Sequence, residues 1–153
     1  MKRWTAALLL CVCLMGIMAP ALAANPSFQE ITGLNQIQRK LNSGKKITGI
    51  HYESGGNGYN RTFSLDEWDT ANIKKVWNAI RKIRIQGVGS GWVTDMYPSI
   101  EFYVSDGTTF RISFLNHMYS YNGVKYQLKD DSLFWQVVSE MESSPFVCVF
   151  PVR

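Results

Sequence analysis

The chain is poor in the residues that most often announce a chemistry. It holds three cysteines and two histidines among 153 residues, and Cys11 and Cys13 both lie in an apolar leader. With the leader removed only Cys148 remains, so no intrachain disulfide can form and packing must hold the fold. Two widely separated histidines and one cysteine give no ligand spacing for structural zinc, and no cofactor or metal is implied. There is no Gly-x-Ser-x-Gly elbow. Neither glycine-rich stretch opens a helix as a phosphate-cradling loop would: Ser54 to Gly58 lies between expected strands, and Gly87 to Gly91 follows an expected helix. Internal repeats and low-complexity tracts are lacking. Beyond the leader, no apolar run reaches the roughly 20 residues that span a bilayer.

What is present begins with the leader. Lys2 and Arg3 precede an apolar stretch from Ala6 to Met18, and Ala21-Leu22-Ala23 closes it with small residues. That order is the pattern of a cleavable signal peptide over 1–23, bacterial in style, and predicts a secreted or extracytoplasmic protein. Pro20 cuts the run too short for a retained anchor. Leu10 and Val12 stand before the two cysteines, where lipid attachment needs a small residue. Taking Lys2 and Arg3 from the 16 basic residues leaves 14 against 12 acidic. So slight an excess does not call for nucleic acid, and the remaining length suits one core. The reading is a flexible lead-in over 24–30 and a single globular domain over 31–153, with no membrane span after cleavage. Asn60-Arg61-Thr62 matches a glycosylation acceptor that would matter only in a eukaryotic host.

Periodicity then assigns elements. Ile31, Leu34, Ile37 and Leu41 recur as on one helix face, stopped by Asn42-Ser43-Gly44. A strand follows in which either Ile47, Gly49 and His51 or Thr48, Ile50 and Tyr52 face one side, with a return strand over Tyr59 to Leu65. A helix capped by Asp69 or Thr70 buries Ile73, Val76, Trp77, Ile80 and Ile83, and Gly87, Gly89 and Gly91 then open a loop. Beyond Pro98, a Ser105-Asp106-Gly107 loop with Gly107 left-handed pairs Ile100 with Ile112, Phe102 with Phe110 and Glu101 with Arg111. Asn122-Gly123 suits a type I′ turn that sets Tyr119 opposite Tyr126 and Tyr121 opposite Val124. Asp130 or Asp131 caps a last helix covering Leu133, Phe134, Val137, Val138 and Met141, ended by Ser143-Ser144-Pro145, and Phe146 to Phe150 reads as a final strand. The fold class is α+β: a mostly antiparallel curved sheet with about three helices packed on it.

This order of elements, with phrases such as Tyr121-Asn122-Gly123-Val124-Lys125-Tyr126, resembles small uncharacterised extracytoplasmic domains of Gram-positive bacteria. The resemblance implies an exported helper or interaction module and carries no catalytic residue across.

Two surfaces stand out for binding. One is the aromatic set of Trp92, Tyr97, Tyr103, Tyr119, Tyr121 and Tyr126, where tyrosines on a sheet face would form a platform unless a helix covers them. The other is the basic helix face of Lys74, Lys75, Arg81 and Lys82, joined by Arg84, which would meet an anionic wall polymer, a lipid surface or an acidic protein unless it is simply solvated. Asp66, Glu67 and Asp69 fit helix capping better than a calcium loop. Cys148, between two valines, reads as a small hydrophobe. The leading expectation is an exported, non-enzymatic binding domain that contacts an extracellular protein or cell-wall polymer through the aromatic face or the Trp92 loop. The alternative is a small secreted hydrolase using His51 or His117 as its base.

Overall fold

Four short helices and seven strands make up the described part of the chain, residues 25–54, 63–90 and 97–142 of a computed structural model. The first element comes earlier than periodicity suggests. Ser27 and Glu30 form a capping box: the Ser27 hydroxyl accepts from the Glu30 amide at 3.3 Å, and the Glu30 carboxylate accepts from the Ser27 amide at 3.2 Å. It starts α1 (Phe28–Ile31), which Gly33, at φ 80°, separates from α2 (Leu34–Asn42). Residues 28–30 are therefore not a lead-in. Phe28 is fully buried against Phe114 and Tyr119, and an apolar side chain so placed ties the segment to the core.

The expected single sheet is two antiparallel sheets. β1 (Ile47–Ser54), β2 (Phe63–Glu67), β4 (Ser99–Val104) and β5 (Thr109–Ser113) form one, in the order β2-β1-β4-β5. β3 (Arg84–Val88), β6 (Met118–Tyr121) and β7 (Val124–Lys129) form the other, in the order β3-β7-β6. Both hairpin registers match their turn chemistry. Ile100 faces Ile112, Glu101 faces Arg111 and Phe102 faces Phe110, around Gly107 at φ 83°. Asn122 and Gly123, at φ 50° and 77°, form the turn that sets Tyr119 on Tyr126.

In β1 neither simple alternation is complete. Ile47 faces Val104 and Gly49 faces Tyr103, so Thr48 is an extra, bulged residue and Ile47 rejoins Ile50 and Tyr52 on the core side. β3 was not expected at all. Only Ile85 of its five residues packs inward, and Gly87 sits at a second bulge, so the segment carries little apolar alternation.

Asp69 caps α3 (Thr70–Ile80), its carboxylate accepting from the Ala71 and Asn72 amides at 2.9 Å. The helix ends at Ile80; Ile83 is buried but lies outside it. Trp77 meets Phe102 edge-on at 5.7 Å, which packs α3 against the inner face of the four-stranded sheet. The last helix, α4 (Ser132–Glu142), packs on α3 and adds Phe134, Val138 and Met141 to the core. The described helices thus occupy one side of that sheet, and none of them covers the other. Among the described residues no helix is long and apolar enough to cross a membrane. The leader, Trp92, Cys148, the Ser143-Ser144-Pro145 stop, the Phe146 to Phe150 strand and the start of the expected return strand lie outside the described residues.

Candidate functional site

The outer face of the four-stranded sheet collects side chains from every strand. Antiparallel register sets Asp66, His51, Glu101 and Arg111 in one row, Glu53 and Ser99 in the next, and Gly49 and Tyr103 on the other side. Trp68, just past β2, lies across Gly49 and stacks on Tyr103 with ring centroids 5.7 Å apart and planes 14° from parallel. Gly49 is required for space: a Cβ there would fall inside the indole, against Cζ3 and Cε3. One indole face is held against the sheet, and Trp68 remains 61% exposed.

The polar groups beside it are fixed by one another. His51 Nδ1 lies 2.7 Å from Asp66 Oδ1, and Nε2 lies 3.3 Å from Glu53 Oε1. Arg111 Nη2 donates to Glu53 Oε2 at 2.5 Å and to Ser99 Oγ at 2.9 Å. Burial disfavours charge on His51, but the hydrogen bonds and charges of Asp66 and Glu53 prevail and raise its pKa above 6.5. Glu53 moves the other way: burial opposes its ionisation, yet His51 and Arg111 hold its carboxyl below the usual 4.5. Burial, then the charges of Glu101 and Asp66, push the Tyr103 phenol up. Both imidazole nitrogens face carboxylate acceptors, an arrangement that favours the doubly donating form, and neither nitrogen is directed at a nucleophile.

His117 is arranged differently. Its Nδ1 lies 2.6 Å from Oδ2 of the nearly buried Asp131, which also accepts from Trp135 Nε1 at 2.8 Å. A buried carboxylate on Nδ1 is how a general base is oriented, leaving Nε2 to act. No hydroxyl or thiol is bonded to that Nε2 among the described residues.

The aromatic set is divided between the two sheets. Tyr119, Tyr121 and Tyr126 share a face with Val124 and Val88, as the hairpin register requires. Tyr119 is half-buried beneath α1, edge-on to Phe28 at 5.6 Å with its hydroxyl donating to the Ile31 carbonyl at 3.4 Å. Tyr121, Val124 and Val88 remain exposed on that face, as does Tyr97 at the approach to β4. Tyr103 belongs with Trp68 on the other sheet. Trp68 escapes pattern reading because it interrupts an acidic run, Asp66-Glu67-Trp68-Asp69, that capping already explains; a large aromatic inside so polar a run is the signal available.

Lys74, Lys75, Arg81 and Lys82 are exposed as expected, with the Arg81 guanidinium 5.6 Å above the Trp77 ring. The three acidic residues have separate partners. Asp69 caps α3, Glu67 accepts from the Asp69 amide and from Asn72, and Asp66 holds His51. Among the described residues no group of three or more His, Cys, Asp or Glu side chains is placed to hold a metal ion. Compared with protein-family models, curated proteins and solved structures, the chain matches none.

Proposed function

We propose that this chain is an exported, non-catalytic binding domain, and that its contact surface is the Trp68 face of the four-stranded sheet, where it holds a saccharide. The observation that carries the reading is an indole seated by the Gly49 gap and Tyr103 and left largely exposed, on the sheet face that also carries the Asp66, Glu53 and Glu101 carboxylates. An apolar ring face flanked by fixed acceptors matches the stacked and hydroxylated sides of a sugar ring. A protein partner fits less well, since charged groups are depleted at the centre of protein interfaces. The hairpin tyrosines supply a smaller free surface because α1 covers Tyr119. Export rests on the leader's charge, apolar stretch and small-residue end. Electrophoresis through gels loaded with soluble polysaccharides tests the reading. At least one polysaccharide should retard the protein, Trp68→Ala should abolish the retardation and Tyr121→Ala should leave it. Unretarded wild type in every gel would remove the reading; loss with Tyr121→Ala alone would return the contact to the hairpin.

A second reading, hydrolase activity, is favoured by one geometry, the Asp131-oriented His117. It requires a nucleophile near Nε2. Covalent labelling by a fluorophosphonate or by iodoacetamide should then be fast and should slow at least tenfold in His117→Ala, about 1.4 kcal/mol of activation. Labelling that ignores the substitution rules this reading out.

A further inference from the structure

The helix side of the molecule carries a separate feature, a polar groove made of two adjoining hollows. The larger, about 710 Å³, is lined by Arg81, Lys82, Arg84, Asp130, Ser132 and Leu133 together with Gln29. The smaller, about 310 Å³, is bordered by Ser27, Asn35 and Gln38, and shares Gln29 and Arg81 with the first. Gln29 builds the junction: its amide donates to the Arg81 and Ile83 carbonyls, both at 2.9 Å, and fixes the turn that carries the three cations.

Those cations exceed what the described residues neutralise. Asp130 meets Arg84 at Nε, 2.9 Å away, and neither Nη group has a partner among the described residues. Arg81 is seated on Trp77, and neither it nor Lys82 forms an ion pair among the described residues. Three positive groups against one carboxylate leave an anion-seeking rim. Ser132 and Leu133 begin α4 at the same hollow. Asp131, placed to cap that helix, gives its Oδ2 to His117 and Trp135 instead, so the positive end of α4 faces the cationic rim without that oxygen as its cap. The smaller hollow is uncharged apart from Arg81, and its border carries the neutral polar side chains of Ser27, Gln29, Asn35 and Gln38, which can exchange hydrogen bonds with hydroxyl groups.

We propose that this groove binds a phosphoryl group carried on a polyhydroxylated chain. Arg81, Lys82 and Arg84 hold the phosphoryl oxygens in the larger hollow, and the ligand's hydroxyls meet the neutral polar side chains that border the smaller, Ser27, Asn35 and Gln38. The site is independent of the Trp68 face, which lies on the other side of the sheet. Calorimetric titration of the full chain at 0.15 M salt with inorganic phosphate, glycerol 3-phosphate and poly(glycerol phosphate) tests it. Glycerol 3-phosphate should bind more tightly than inorganic phosphate. Arg81→Gln and Arg84→Gln should each weaken it at least tenfold, while Lys45→Gln and Trp68→Ala leave it unchanged. Gln38→Leu should weaken glycerol 3-phosphate and spare inorganic phosphate. Tenfold tighter binding of the polymer per phosphoryl group would identify a polymer as the source, and equal binding a small phosphate ester. Absence of binding to all three probes at millimolar concentration, or equal loss with Lys45→Gln and Arg81→Gln, would overturn the proposal.

Discussion

Replacing Gly49 with alanine should drive Trp68 off the sheet, and the size of the effect follows from the stacking geometry. The added methyl would occupy the space of indole Cζ3 and Cε3, and Tyr103 holds the same ring, so the indole must leave as a unit. Trp68 is 61% exposed. About 40% of a surface of roughly 250 Å² is therefore covered, or ~100 Å². At 25 cal/mol per Å² this coverage contributes about 2.5 kcal/mol, and the stacked pair adds ~0.5–1.5 kcal/mol. Against it stands the entropy that alanine saves relative to glycine within a strand, about 0.5–1 kcal/mol. The net expectation is a loss of about 2–3 kcal/mol, because coverage already present in the unfolded chain trims the upper end. Urea titration should show a lower midpoint with an unchanged slope. The decisive arm repeats Gly49→Ala in a Trp68→Ala background, where the three atoms nearest the methyl are gone and the substitution should be neutral or stabilising. An equal loss in both backgrounds would refute the account of Gly49 as the seat of the indole.

Phe28→Ala should cost about 3–5 kcal/mol, the range for emptying a buried aromatic site, read from the same titration; a loss below about 1 kcal/mol would return α1 to a dispensable lead-in. The His51 cluster gives stability a window in pH. His51 has its pKa raised above 6.5, so its contribution is complete below pH 6.5 and fades as pH rises through the folded-state value. Glu53 is lowered from 4.5, so its contribution is complete above pH 4.5 and is lost as pH falls through its folded-state value. Stability from this cluster should therefore peak between pH 4.5 and 6.5. His51→Gln should flatten the alkaline side of the profile; a wild-type profile that falls no more steeply than the variant's above pH 6.5 would contradict the assignment.

Both hairpins were legible from residues alone because two independent constraints, turn chemistry and apolar facing, agreed on one register. The cap at Asp69 was legible for the same kind of reason, an oxygen-bearing side chain immediately before an apolar period. Where only one constraint acts, the reading weakens. α1 has a single buried residue, Phe28, and so no period, although Ser27 and Glu30 stood at capping-box spacing. β3 has one inward side chain and a glycine at its bulge. The candidate site divides along the same line. His51 beside Glu53 follows from strand alternation, whereas Asp66, Arg111, Ser99 and Trp68 reach them only through long-range pairing of β1 with β2 and β4, and of β4 with β5. Pairing of that kind depends on how the whole sheet assembles, which no short window encodes.

The extra residue in β1 has a bearing on which changes of length this strand can absorb. Loss of Thr48 would set Ile47 directly before Gly49, and the shortened run of Ile47, Gly49, Ile50, His51 and Tyr52 would alternate inward and outward without interruption. Removal of Gly49 would bring the Thr48 side chain under the Trp68 indole, removal of Ile50 would empty a buried core position, and removal of His51, Tyr52 or Glu53 would invert part of the strand, presenting apolar groups to water or polar groups to the interior. Thr48 is accordingly the position at which a deletion can be accommodated there, and insertions or losses accumulated by descendants of this chain should concentrate at it.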